Sequence, residues 1–319
     1  MLSIPTILGL VSFAAALTVD RRSMLSKKSS YPFGNIVAFG DELSDNGSGS
    51  YAHGVTGDPA SVYGYDTWTN GPVAVTYLAK MLGMTLDDYA FGGCCGGSKY
   101  GATIDEAYRT SPAGAQSVKQ QITNYTNAGA KDIKSSLGFV WVGENDLSEH
   151  TDAFWLGDPQ NTNFAGNISS KIAEQVGRLF DLGAPYVFVA NIYPKHIAPV
   201  TKKYLCNTNT DCVSTWGEVI QNANDAIESE LKQFGDKIIY YDAFKYMEYV
   251  VSTASLHGFT APDATTVYCD GMGDAIWKDC VTDKHGSHYL WMNFIQPTTK
   301  FHWYIARDMK NHIDWHFGL

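Results

Sequence analysis

Short apolar runs alternate along this chain with longer segments whose apolar residues recur at helical spacing. That alternation restricts the fold more than any other feature. Ile36-Val37-Ala38-Phe39 lies between Gly34 and Gly40, and Leu137-Gly138-Phe139-Val140-Trp141-Val142 stops at Gly143. Tyr186-Val187-Phe188-Val189-Ala190 and Lys237-Ile238-Ile239-Tyr240-Tyr241 are β-branched and aromatic. Runs this short and this apolar read as buried strands. Helices are expected at 72–82, 117–127, 167–182, 216–234 and 298–312. The first opens with Asn70-Gly71-Pro72, with proline near the first helical position. The third has Ile172, Val176, Leu179 and Phe180 on one face. Strands separated by helices predict an α/β three-layer sandwich, a parallel sheet flanked by helices. No internal repeat, low-complexity segment or linker interrupts the chain after residue 34, so 35–319 is expected to be one domain.

Residues 2–16 are apolar and end in Ala14-Ala15-Ala16. The stretch is short for a bilayer span and is followed by a small-residue cleavage site, so 1–16 reads as a secretory signal and the protein as extracellular. Residues 17–34 form a polar leader or linker. Its Arg21-Arg22 and Lys27-Lys28 are either dibasic processing sites or solvated linker, the simpler reading. No later segment has the uninterrupted apolar length of a membrane span.

Apolar residues make up 45% of the chain and aromatics 13%, which excludes a disordered protein. The formal net charge of −10, with no Lys/Arg block beyond the leader, argues against a nucleic-acid partner. Six cysteines in a secreted chain imply disulfides, although many connectivities are open. Proximity among turn residues favours Cys206 with Cys212 and Cys269 with Cys280. Cys94 and Cys95 are adjacent between glycine pairs; they form a strained vicinal bridge, stay as buried thiols, or pair elsewhere. Thiols are favoured slightly, because adjacent Cα atoms are closer than a disulfide prefers. No Cys-x-x-Cys pair is present, and neither a zinc site nor a cofactor is expected. Sequons stand at Asn46, Asn124 and Asn167; the last two are the glycosylation candidates.

Four blocks carry a resemblance. Phe39-Gly40-Asp41-Glu42-Leu43-Ser44-Asp45-Asn46-Gly47 follows the first strand, and Tyr89-Ala90-Phe91-Gly92-Gly93 comes next. Val142-Gly143-Glu144-Asn145-Asp146 follows the second buried run, and Trp291-Met292-Asn293-Phe294-Ile295-Gln296-Pro297-Thr298-Thr299 closes the series. In this order they resemble the GDSL, or SGNH, esterase and lipase family, in its secreted, fungal-type form, across nearly all of the chain from residue 35. The resemblance implies the flavodoxin-like SGNH hydrolase fold. It also implies an oxyanion hole from the residue 42 backbone N–H, Gly93 and the Asn145 side chain. The family's nucleophilic serine corresponds to Glu42, and the catalytic Asp and His of D-x-x-H-P-T correspond to Asn293 and Gln296. All three triad positions are therefore replaced.

Serine ester hydrolysis needs a hydroxyl nucleophile, a histidine base and a group to orient it. Glu42 supplies no hydroxyl, and the Asn293 and Gln296 amides are neutral and not basic. The donors of the hole persist, so the Glu42 carboxylate is expected to lie in it and block an ester carbonyl. Ser44 lies past the elbow and reads as pointing elsewhere. His302, on a helix, reads as a structural contact, as do His285 and His288 in a loop. Asp146, beside Glu144, reads as a turn anchor, and Trp303, Tyr304, Trp315 and Phe317 as packing, with exposed rings able to stack on sugars. Three functions follow. The first is a monomeric binder of a small organic, carbohydrate or lipid-like ligand. The second is a non-hydrolytic acid/base enzyme (lyase, isomerase or cyclase) using Glu42. The third is an esterase with atypical residues.

Overall fold

The computed structural model describes residues 31–47, 67–92, 101–108, 115–149, 160–261 and 288–319. Strands β1 (Asn35–Gly40), β2 (Thr85–Asp88), β3 (Ser136–Trp141), β4 (Tyr186–Ala190) and β5 (Ile238–Tyr241) form one sheet in the order β2-β1-β3-β4-β5. Every pairing is parallel. This is the flavodoxin-like strand order. The helices are α1 (Ala74–Leu82), α2 (Val118–Asn127), α3 (Glu144–Glu149), α4 (Gln160–Asp181), α5 (Thr210–Leu231), α6 (Ala243–Ser252) and α7 (Thr299–Phe317).

The pleat explains why the strands are apolar on both sides. Ile36 and Ala38 of β1, Leu137, Phe139 and Trp141 of β3, and Phe188 of β4 face one core, which α1, α6 and α7 cover through Leu78, Met247, Phe301 and Ile305. Val37, Phe39, Val140, Val187 and Val189 face the other core, covered by α2, α4 and α5 through Ile122, Val176, Trp216 and Ile220.

The element boundaries depart from expectation in physically readable ways. Pro72 lies outside α1, whose cap is Val73; no side chain of the cap bonds the helix end. Instead Nδ1 of His302, reaching across from α7, accepts the Ala74 N–H at 3.2 Å. Ser117 caps α2 in a reciprocal capping box with Gln120. α4 begins before residue 167, and α5 begins at Thr210 because Asn209 accepts the Cys212 N–H. α7 runs past His312 to Phe317, where Gly318 ends it with positive φ. β2, with sequence Thr85-Leu86-Asp87-Asp88, is a half-exposed edge strand without an apolar run. Nor does the sequence pattern mark α6 or the short α3. A π-turn, Val200–Leu205, leads into α5, and the expected disulfide between Cys206 and Cys212 ties the two together. Cys94, Cys95, Cys269 and Cys280 lie outside the described residues.

β1 ends where β3 ends: Gly40 and Trp141 are register partners. A Cβ on Gly40 would sit 2.4 Å from the Trp141 carbonyl oxygen. The Gln121 side chain clamps the same glycine, accepting its N–H at 3.0 Å and donating to its carbonyl at 2.8 Å. Gly40→Ala is therefore expected to lower the urea midpoint by an amount equivalent to about 1–3 kcal/mol, as overpacked sites do. Gly34→Ala, where no heavy atom lies within 4 Å of the new carbon, is the control and should unfold close to the parent.

Candidate functional site

In this strand order the direction in which strands are added to the sheet reverses between β1 and β3, and ligands of such sheets bind at the carboxyl ends of the strands there. The loops leaving these two strands carry Glu42 and Asn145. After β1 the chain folds into a tight turn in which the Asp41 carbonyl accepts the N–H groups of Ser44 and Asp45, both at 3.0 Å, and the Asp41 carboxylate accepts the Leu43 N–H. After β3, Asn145 lies in the first turn of α3.

The two meet directly. Asn145 Nδ2 donates to Glu42 Oε2 at 2.9 Å and makes a longer 3.3 Å contact to the Ala102 carbonyl, while its Oδ1 accepts the Gly101 N–H at 3.0 Å. Both ends of the Asn145 amide are thus engaged. Gly101 lies so close that a Cβ there would be 1.8 Å from Glu42 Oε2. Asp146 holds the same segment by accepting the Ile104 N–H with both carboxylate oxygens, at 3.0 and 3.1 Å. It anchors a turn, as its position suggested. Gly93 lies outside the described residues, but its neighbour Gly92 donates its N–H to Asp45 at 2.7 Å.

The surroundings of Glu42 are acidic and dry. Glu42, Asp41, Glu144 and Asp146 are all buried. Burial, and then the negative charge of Glu144, raise the Glu42 carboxyl to about 7, against the opposing pull of the Asn145 hydrogen bond and of Lys195. Burial and the charge of Glu42 push Asp41 well above the carboxylate range. The compensating cation is Lys195, also buried, which follows β4 and pairs with Glu144 and Ser148 on α3. Ser148 donates to Glu144 at 2.6 Å. Neither Lys195 nor Ser148 is legible in the sequence, whose one signal is a lysine shortly after a buried strand.

The last block forms a tight hairpin. Trp291 bridges Pro297, Met292 donates to the Gln296 carbonyl, and Asn293 Oδ1 accepts the Ile295 and Gln296 N–H groups at 2.9 and 2.8 Å. Gln296 is buried, and its Oε1 has no hydrogen-bond partner among the described residues. The Glu42 side chain hydrogen-bonds Asn145. The two blocks are linked through residues 68 and 69: Trp68 donates to Asp45 at 3.2 Å and Thr69 to the Pro297 carbonyl at 2.6 Å.

The remaining candidates take structural positions. Ser44 is buried with its hydroxyl 3.2 Å from where a Gly40 Cβ would be, turned back toward the strand end. Burial lowers His302 to about 3, so it caps α1 as a neutral ring. His288 meets the Thr260 hydroxyl at 2.6 Å, and His285 lies outside the described residues. Trp303 carries Arg307 over its ring, Tyr304 and Phe317 pack against the first core, and Trp315 is largely exposed. His312 and His316, one helical turn apart, pack against Tyr241 and Tyr186; among the described residues no group of three metal-binding side chains occurs. Asn124 and Asn167 are exposed on α2 and α4.

The family model described as GDSL-like Lipase/Acylhydrolase matches residues 36–307, from β1 into α7. The chain belongs to that family. It is 23% identical over 288 residues to a thermolabile hemolysin of Vibrio parahaemolyticus serotype O3:K6 (strain RIMD 2210633), covering 86% of this chain and 62% of that protein. It is 25% identical over 140 residues to a GDSL esterase/lipase of Arabidopsis thaliana, covering 41% of this chain and 38% of the other. The chain thus spans less than two thirds of the length of these relatives. An extracellular lipase from Streptomyces rimosus, known as a crystal structure, aligns over 86% of this chain and 99% of its own, with 13% identity and a TM-score of 0.40.

Within this GDSL-family fold the raised Glu42 carboxyl has a thermodynamic signature. Its folded pKa of about 7 exceeds the unfolded value, so the native state binds more protons between the two. The Glu42 contribution to stability must therefore fall as pH rises from about 4.5 to about 7 and stay constant above. Urea unfolding of the parent and of Glu42→Gln at about pH 5 and about pH 8 measures it. The variant should gain on the parent at the higher pH.

Proposed function

We propose that this GDSL-family protein is a secreted, monomeric binder that has given up serine ester hydrolysis. It holds a small organic, carbohydrate or lipid-like ligand at the carboxyl edge of the sheet. The observation that carries the reading is the 2.9 Å hydrogen bond from Asn145 to Glu42. A carboxylate stands at the position aligned with the family's serine and takes the donor that would otherwise stabilise an oxyanion. At the base and orienter positions stand two amides, neither able to accept a proton at neutral pH. His302 offers no substitute, being buried and committed to the end of α1. Gln296 Oε1, which has no partner among the described residues, favours a ligand that presents an N–H or O–H, because a buried acceptor gains most from such a partner. The names of the relatives, a hemolysin and an esterase/lipase, favour the lipid-like end of the range. Exposed Asn124 and Asn167 are the proposed glycosylation sites of the secreted form.

A second reading, general acid/base chemistry at Glu42, draws support from the same burial. A carboxyl raised to about 7 exchanges protons near neutral pH, where a serine hydrolase would need a histidine.

The full chain should show no turnover of short-chain p-nitrophenyl esters or acetylated sugars and no covalent labelling by a fluorophosphonate. Glu42→Ser alone should restore little, because triad groups act as a unit and each missing member costs orders of magnitude. Labelling of the parent at Ser44, or at a serine close to Gly93, would return it to the ordinary hydrolases. Binding is measured separately, by titrating a panel of glycans, lipids and polar metabolites into parent and Glu42→Gln. A ligand that binds both alike does not occupy this site.

A further inference from the structure

A cavity of about 790 Å³ opens between the turn after β4, the π-turn, α5 and α6. Its size is that of small-molecule sites generally. None of the four family blocks contributes to its lining, so it is separate from the Glu42 site.

One part of the wall is apolar: Ile197, Val213 and Phe244. Beside them His196 is nine-tenths buried and stacks on Phe244 with ring centroids 5.3 Å apart. The helix makes room for that ring at Gly217, where a Cβ would lie 3.1 Å from the imidazole. His196 Nε2 lies 3.1 Å from Glu248, and its Nδ1 is buried without a partner among the described residues. Burial, and then the nearby Lys202 ammonium, lower the imidazole to about 4, so it is a neutral ring at physiological pH.

The π-turn supplies the opposite character. Lys202 and Lys203 both line the cavity, and neither ammonium pairs with a carboxylate among the described residues. The Cys206–Cys212 disulfide ties the end of this turn to the first turn of α5. Thr208, also on the rim, holds positive φ, a strained conformation for a non-glycine residue. The basic rim is therefore fixed covalently against the apolar wall. Two carboxylates also line the cavity, Glu218 on α5 and Glu248 on α6, and the second of them is taken up by His196 Nε2 at 3.1 Å.

We propose that this cavity binds a single-chain amphiphile with an anionic carboxylate or phosphate head. The head sits against Lys202 and Lys203, and the chain lies along Ile197, Val213 and Phe244 beside the neutral His196 ring. The two ammonium groups, which pair with no carboxylate among the described residues, select the head by charge, and the apolar wall gives the chain its binding energy.

The test is isothermal titration of the full chain with decanoate, n-decyl phosphate, decanol and decyltrimethylammonium. Imidazole resonances are followed to report on His196. At least one anion should bind saturably below about 1 mM. It should bind about tenfold or more tightly than decanol, and shift the His196 resonances. Which of the two anions binds better separates a fatty-acid from a phosphoryl source. Lys202→Glu/Lys203→Glu should abolish the preference for the anion. Val213→Trp, which fills the cavity without touching a charge, should abolish binding of decanol as well; parent-like circular dichroism establishes that each variant folds. Equal binding of decanol and both anions, tighter binding of decyltrimethylammonium, or no saturation overturns the proposal. So does binding that survives both sets of substitutions but disappears in Glu42→Gln, which places the amphiphile at the other site.

Discussion

Gly40 and Trp141 are the last register partners of β1 and β3, and the chemistry of this protein is assembled around that junction. Only there do two neighbouring strands send their following loops apart, leaving room between them. The contact is close enough to exclude any side chain at residue 40, and the Gln121 amide seals it from the side. Two loops leave side by side, and each begins with acidic residues: Asp41 and Glu42 from one, Glu144 and Asp146 from the other. Carboxylates drawn together in a dry space repel one another and lose hydration. The fold meets that cost with Lys195 against Glu144, the Asn145 amide against Glu42, and backbone N–H groups against Asp41 and Asp146.

How much of this could be read from the sequence follows from where each residue's partners lie. β1, β3 and β4 were legible because burial on both faces leaves uninterrupted apolar runs. β2 was not, because an edge strand reading Thr85-Leu86-Asp87-Asp88 pairs through its backbone on one side only. α6 escaped because its four buried positions, Ala243, Phe244, Met247 and Val250, fit in under three turns directly after a strand. α5 begins ahead of its apolar pattern because periodicity shows where a helix packs, whereas its true beginning depends on Asn209 as a cap.

The site divides in the same way. Glu42 and Asn145 were legible together because each follows a strand end and lies within a recognisable block. The Asn293 side chain is taken up by its own turn, a local bond of the kind asparagine commonly makes. Lys195 and Ser148 were invisible because their meaning comes from residues about fifty positions away. The link from Asp45 through Trp68 and Thr69 to Pro297 joins segments that no local pattern connects.

The buried carboxylates around Lys195 have a further consequence for any guest of the site. An anion entering beside Glu42 adds to an existing excess of negative charge, so it must arrive protonated or drive a proton onto the protein. A cation does the reverse and displaces one. For a charged guest at the proposed site, binding and proton uptake would then be one equilibrium, with the pH of the medium helping to select the guest by its charge.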